Sequence, residues 1–256
     1  DARGLRRGDA CAVHRSPPNL KRLLAWAAAL SVGSVQAFIF DLDGTLADTA
    51  PDLAHTLNTL LAEEGRAKLA YETIRPEVSH GAGALVRLGF SDVADKEFER
   101  LRQRFLVLYA ENLVRETRLF PGMDELLSEL KRRGLNWGIV TNKSAFLTEP
   151  LVTQLGLPWP PTSIVSGDST NNRKPHPEPM LLACTQAGSE PAQCLYVGDA
   201  ERDIEAGRRA GMRTLVALFG YISKEERPER WGADGLIRAP REILDWLGTD
   251  TRMTHG

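Results

Sequence analysis

Residues 38–46 read Phe38-Ile39-Phe40-Asp41-Leu42-Asp43-Gly44-Thr45-Leu46. With Ala37 they form a short run of strand-forming residues that delivers two carboxylates two positions apart. If the strand runs on that far, its period of two puts Asp41 and Asp43 on one side of the backbone. Gly44 permits a sharp exit, and Thr45 sets a hydroxyl beside the acids. Two like charges this close are unfavourable unless a cation joins them or one of them holds a proton. The arrangement suits a hard metal ion, a carboxylate nucleophile, or both.

Outward from this stretch, strand and helix patterns alternate, as they do in a parallel sheet with helices on both faces. Apolar runs end at Phe40, Val140, Ser166 and Val197, with another at 214–218. Helical patterns lie at 124–130, 178–187 and 201–210, stopping at Gly134, Gly188 and Gly211. The basic clusters Lys131-Arg132-Arg133 and Arg208-Arg209 read as last-turn charges that complement the helix dipole. The expected fold is α/β, a Rossmann-like parallel-sheet core formed by residues 37–50 and 118–250.

Residues 51–117 break the alternation and read as an inserted helical cap. Leu53, Leu57, Leu60 and Leu61 fall on one helical face, in a helix that stops near Gly65. Further helical pieces cover 73–78, 83–88 and 96–112, with no strand pattern among them. Leu119-Phe120-Pro121-Gly122 reads as the return hinge. Within the insertion, Val78-Ser79-His80-Gly81-Ala82-Gly83 reads as a turn that starts a helix. Its free N–H groups are candidates to meet an anionic substrate at His80, Gly81 and Ala82; an ordinary interhelical turn is the alternative. Arg75 and Arg87 fit surface ion pairs as well as substrate contacts, and Trp231-Gly232-Ala233-Asp234 reads as core packing and a turn.

Polar residues follow the other strand patterns too. Thr141-Asn142 follows the run ending at Val140, Lys174 before Pro175 comes soon after Ser166, and Gly198-Asp199 follows Val197, with Asp203 four residues on. Singly these have plain explanations: a helix cap, a surface charge, a turn. Together they place acids, donors and a lysine at the carboxyl ends of the strands, where open α/β sheets bind ligands.

With these four motifs in order, the sequence resembles the haloacid dehalogenase superfamily over about residues 36–247. The position of the insertion is similar to that superfamily's helical cap. Within it the chain looks like the bacterial phosphoglycolate phosphatases. Gly220-Tyr221-Ile222, 231–234, Asn142-Lys143 and Thr148-Glu149-Pro150 look still more like the N-acetylmuramic acid 6-phosphate phosphatases of that group. The resemblance implies an enzyme, a phosphoric monoester hydrolase in which Asp41 attacks phosphorus and Asp43 acts as acid and then base. It implies magnesium on the Asp41 carboxylate, the Asp43 carbonyl and Asp199, with Asp203 orienting those ligands. Thr141, Asn142 and Lys174 are implied to hold the phosphoryl oxygens. The implied substrate is a small phosphorylated metabolite, 2-phosphoglycolate or a muramic acid 6-phosphate.

Among relatives, Asp43 argues against a dehalogenase, which attacks carbon and lacks an acid there. A phosphonatase needs an imine-forming cap lysine, and the insertion offers only Lys68 and Lys96. A sugar phosphomutase shares every core motif and stays open. A phosphate-accepting regulatory domain has no reason to carry such an insertion.

Composition sets outer bounds. The chain has 256 residues, 42% of them hydrophobic, enough for a sizeable core. A net charge of −2 gives no reason to expect nucleic acid or a membrane as partner. Cys11, Cys184 and Cys194 show no metal-ligand spacing, which fits a reducing, cytoplasmic setting for a monomer or homodimer, with Cys184 and Cys194 buried. Residues 1–36 are basic, then apolar from Leu23 to Val35. Signal cleavage after Ala37 would remove the start of the acid-bearing strand, so this segment is expected to be a disordered or artefactual extension. No apolar run approaches a membrane span.

Overall fold

The computed structural model describes residues 35–247. Most of the expected extension, and Cys11 with it, lies outside them. In chain order the elements are β1 (Ala37–Phe40), β2 (Ala47–Asp48), α1 (Ala50–Glu63), α2 (Tyr71–Ile74), a 3-10 helix (Arg75–His80), α3 (Gly81–Gly89), α4 (Asp95–Ala110) and β3 (Arg118–Leu119). There follow α5 (Met123–Arg132), β4 (Asn136–Val140), α6 (Ala145–Gln154), β5 (Ser163–Val165), α7 (Glu178–Gln186), β6 (Cys194–Gly198), α8 (Glu201–Arg209), β7 (Arg213–Ala217), β8 (Gly235–Ile237) and a last 3-10 helix (Pro240–Trp246).

Six strands form a parallel sheet in the order β5-β4-β1-β6-β7-β8. From β1 the chain runs outward through β4 and β5, then returns to the other side for β6, β7 and β8. The reversal beside β1 opens a crevice at the carboxyl ends of β1, β4 and β6. Alternation along β1 divides its side chains between two cores. Phe38 and Phe40 face a layer with Trp137, Leu126 and Leu130, whereas Ala37 and Ile39 face Met180, Ala183 and Cys184. All four β1 residues are fully buried, which is why this strand reads as unbroken hydrophobic sequence. Cys184 and Cys194 are both buried, as expected.

Three local expectations are corrected. The strand stops at Phe40, so Asp41 and Asp43 lie on the loop beyond it rather than on one strand face. Leu46 N–H returns to Asp41 O and Gly44 N–H to Ala47 O, closing that loop tightly. The turn expected from Val78 is instead the end of a 3-10 helix, Arg75–His80, that runs straight into α3. Two elements, α6 and β8, have no counterpart in the sequence pattern. Pro150 inside α6 reads as a breaker, and the three residues of β8 are too few to show a period. Trp231 is buried and Asp234 accepts Thr214 N–H at 2.7 Å, so this stretch packs and turns as expected.

Between β2 and β3 the chain is helical, and β2 and β3 pair antiparallel, so the incoming and outgoing links lie side by side. Its apolar residues, among them Leu57, Leu85 and Phe105, continue the core layer of Phe38 and Phe40. Asp52 ties the links together. Its buried carboxylate accepts the N–H groups of Arg115, Glu116 and Thr117 and the Thr117 hydroxyl, at 2.8 to 3.1 Å. Asp52→Ala would strand these donors, and we expect a loss of about 2–4 kcal/mol. Urea denaturation measures it; a change below about 1 kcal/mol would remove Asp52 from that role.

Candidate active site

The loop after β1 is shaped by what lies behind it. Gly44 has φ +84°, and a Cβ there would meet Asp199 Oδ2 at 2.1 Å. A Cβ on Gly220 would come within 2.3 Å of Asp199 Cβ. Two glycine backbones therefore close on the Asp199 carboxylate and hold it at the end of β6. Its Oδ2 accepts the Tyr221 N–H and the Ser79 hydroxyl, each at 2.8 Å. Ser79 lies in the helical insertion, and its carbonyl accepts a hydrogen bond from the Arg202 guanidinium. The insertion thus touches the acid cluster directly.

Lys174 is buried at the centre of the site. Its Nζ donates to Asp41 Oδ1 at 2.7 Å, to Val140 O at 2.9 Å and to Tyr196 Oη at 2.9 Å, and it pairs with Asp203 Oδ1 at 2.8 Å. Asp203 Oδ2 also accepts Ala200 N–H at 3.1 Å, which fixes it at the start of α8. Asp41, Asp199 and Asp203 each bring a carboxylate oxygen within 4.8 Å of the others, all buried. Burial pushes Asp199 up to about 7, with the charges of Asp41 and Asp203 adding to the rise. Burial likewise raises Asp41 to about 6, against the pull of Lys174. Burial alone would lower Lys174, but Asp203 and Asp41 lift it above its ordinary value. Three buried carboxylates this close together, only two of them paired with the lysine, fit a divalent cation such as magnesium.

Asp43 stands apart from this cluster. Its Oδ1 accepts the Thr49 hydroxyl at 2.6 Å and Lys143 Nζ at 2.7 Å. Burial pulls Lys143 down, but Asp43 and Tyr109 more than reverse it, so Lys143 stays a cation. Thr141 Oγ1 accepts the Lys143 N–H at 3.2 Å, which leaves its own proton to donate. The Asn142 side chain is spent on Lys174: its Nδ2 donates to Lys174 O at 3.1 Å, and its Oδ1 accepts Lys174 N–H at 3.0 Å. The expected phosphate donor therefore braces the lysine in this structure.

One cavity of about 620 Å³ brings these groups together, lined by Asp41, Asp43, Thr141, Asn142, Lys143 and Lys174. His80, Gly81 and Ala82 line its wall from the insertion. Arg75 and Arg87 do not. The first donates to Phe219 O at 3.3 Å and lies 4.8 Å over the Tyr221 ring; the second lies 3.9 Å over Phe98. Thr49, Tyr109 and Arg202 escaped the sequence reading, and Tyr221 entered it only through the resemblance, since their roles depend on distant partners. Lys143, adjoining Thr141-Asn142, and Arg202, adjoining Asp203, were the signals available.

An open parallel sheet with acids, a lysine and a threonine gathered at its carboxyl edge under a helical insertion defines a Rossmann-like α/β enzyme that handles an anionic ligand. The chain belongs to the haloacid dehalogenase-like hydrolase family, whose model matches residues 38–217. It is 42% identical to the N-acetylmuramic acid 6-phosphate phosphatase of Pseudomonas aeruginosa, over 83% of this chain and 95% of that protein. It is 40% identical to the phosphoglycolate phosphatase of Xanthomonas campestris pv. campestris, over 82% of this chain and 95% of that one. The crystal structure of a predicted phosphoglycolate phosphatase from Haemophilus somnus superposes with a TM-score of 0.75 at 28% identity, covering 84% of this chain and 98% of that one. Among the described residues, no helix is long and apolar enough to cross a membrane.

The raised carboxylates make the metal-free protein pH-sensitive. With Asp41 at about 6 and Asp199 at about 7, the folded state binds more protons than the unfolded chain, whose carboxyls titrate near 4. Their contribution to stability is full below about pH 4 and is lost as pH rises through 6 and 7. We expect the melting temperature in chelator to fall between pH 5 and 8, and magnesium to raise it most at the upper end. Melting curves across that range check it; a magnesium effect independent of pH would contradict it.

Proposed function

We propose that the protein is a magnesium-dependent phosphatase that hydrolyses a small phosphate monoester through a phosphorylated Asp41. The observation that carries this reading is a cavity lined by Asp41, Asp43 and Lys174, with the Asp199 carboxylate close behind Asp41, in a chain whose relatives are phosphatases. Asp41, Asp199 and the Asp43 carbonyl would hold magnesium, which supplies charge neutralisation at the transferring phosphoryl group.

In the first half, a carboxylate oxygen of Asp41 attacks phosphorus and the ester P–O bond breaks. A proton from Asp43 goes to the departing alkoxide oxygen. In the second half, water attacks phosphorus, Asp43 takes its proton, and the bond from Asp41 to phosphorus breaks to release phosphate and the free carboxylate. Both halves balance and return Asp41 and Asp43 to their starting states. Thr141 would donate to a phosphoryl oxygen, and Lys174, whose protons already face Asp41, Asp203, Val140 and Tyr196, would offset the phosphoryl charge, with Asn142 fixing its main chain. Asp203 keeps Lys174 and the acid cluster in register. The stretch His80-Gly81-Ala82 meets the remainder of the substrate.

Of the two esters suggested by the relatives, the cavity favours N-acetylmuramic acid 6-phosphate over 2-phosphoglycolate. Its volume of about 620 Å³ is that of a site for a ring-sized ligand. Phe146, 55% exposed, lines it and offers an apolar face for a sugar.

A panel of phosphate esters assayed for phosphate release with and without magnesium tests the proposal. A phosphomutase would isomerise a sugar phosphate and release little phosphate, and a regulatory domain would release none. We expect Asp41→Asn to remain folded by circular dichroism and to lose at least ~10³-fold in turnover. Asp43→Asn should lose turnover while still trapping phosphorylated protein, detected as a mass gain of one phosphoryl group. Substantial turnover by Asp41→Asn would sink the nucleophile assignment.

A further inference from the structure

Lys143 has no part in the steps above, yet it is among the least exposed charges in the cavity. Its side chain is 9% exposed, and its Nζ bridges Asp43 Oδ1 at 2.7 Å and Tyr109 Oη at 2.9 Å, lying 4.6 Å over the Tyr109 ring. Tyr109 lies near the end of α4, in the helical insertion, and is fully buried, with Phe105 stacked against it. The second donor to Asp43 Oδ1, the Thr49 hydroxyl at 2.6 Å, sits just before α1, where the chain enters the insertion.

Among the described residues, the side-chain hydrogen bonds to Asp43 all fall on Oδ1. Two donors on one oxygen, one of them charged, fix the plane of a carboxylate that otherwise stands on a loop past the end of β1. The other oxygen, Oδ2, is left for the proton that must travel to and from substrate. Proton transfer depends steeply on such placement, because donor and acceptor must come within hydrogen-bond reach in the transition state. Lys174 is not available for this task, being held between Asp41 and Asp203.

We propose that Lys143 is a positioning residue that aims the Asp43 carboxylate, and that its bond to Tyr109 makes this aim depend on the insertion being docked over the sheet. The inference rests on the phosphatase reading and adds to it a residue that acts through Asp43. The chemistry gives it a signature. Departure of an alkoxide needs the proton from Asp43, whereas departure of p-nitrophenolate does not. Release of phosphate from Asp41 needs Asp43 as base whichever ester was used.

The test compares wild type with Lys143→Met on N-acetylmuramic acid 6-phosphate and on p-nitrophenyl phosphate, both in magnesium. With the sugar ester, kcat is expected to fall about 10²-fold or more while KM changes less than about threefold. With p-nitrophenyl phosphate, a rapid burst of one p-nitrophenolate per protein is expected, followed by slow turnover, as phosphorylated protein accumulates. The magnesium concentration for half-maximal activity should not move. Tyr109→Phe keeps the ring and removes only the hydroxyl, so it should show the same pattern more weakly; it decides the matter if Lys143→Met does not fold. Equal losses on both esters without a burst, or an unchanged kcat on the sugar ester, would overturn the role of Lys143. If wild type releases phosphate from neither ester, the phosphatase reading falls and this inference with it.

Discussion

A single buried lysine holds the site together. Lys174 faces Asp41 and Asp203 with almost no exposure, and Asp199 stands within ligand distance of both acids. One ammonium cannot neutralise three carboxylates, and Arg202 only adds a more distant charge. Burial raises the pKa values of Asp41 and Asp199, and the neighbouring acids add to the rise. Folding accepts this unfavourable arrangement because strong packing elsewhere over-determines it. Glycine backbones close on Asp199 from two sides, and β1 and β6, both fully buried, and β4, buried but for Asn136, carry the loops. On the proposed reading, this net negative field would attract a divalent cation, and the cation would in turn offset the charge of a phosphoryl group.

The helical insertion is joined to this charge centre by few but specific contacts. Asp52 gathers the outgoing link. The Tyr221 hydroxyl accepts the N–H groups of Thr49 and Ala50 at 2.7 and 2.9 Å and donates to Asp48 at 2.7 Å, clamping the incoming link. The Tyr221 N–H meanwhile reaches Asp199, and Arg75 of the insertion covers its ring. Residues that orient the acids are thus the ones that meet the insertion, a geometry suited to a site that must exclude water before reaction.

Most of this fold was readable in advance, for identifiable reasons. Fully buried parallel strands leave apolar runs, helices end at Gly65, Gly134, Gly188 and Gly211 with positive φ, and the polar residues that follow strands must appear in chain order. The chemistry was readable because a carboxylate pair beside a glycine has few structural uses. What escaped was short or tertiary. The strands β2 and β3 have two residues each, α6 hides behind Pro150, and no local pattern tells Lys143 that Tyr109, 34 residues back, will hold it. The same limit applied to Asn142, whose residue type suits phosphate but whose amide is already matched to the Lys174 main chain.

Asp41 and Asp43 are two residues apart in sequence, and a strand would have presented them as equivalents. Ending β1 at Phe40 breaks that equivalence, since the loop turns each acid toward its own lysine. Asp41 meets Lys174 inside the acid cluster, where, on the proposed reading, a bound cation would keep it unprotonated and nucleophilic. Asp43 meets Lys143 and Thr49 at the edge of the insertion, outside the cluster of Asp41, Asp199 and Asp203, where the proposed mechanism would have it pass a proton to the leaving group and take one from water. Had one lysine served both acids, its charge would hold them alike, and the division of labour between attack and proton transfer would be lost. On the proposed reading, the separation of the two lysines, one at the sheet's edge and one fastened to the insertion, therefore keeps attack and proton transfer on separate acids.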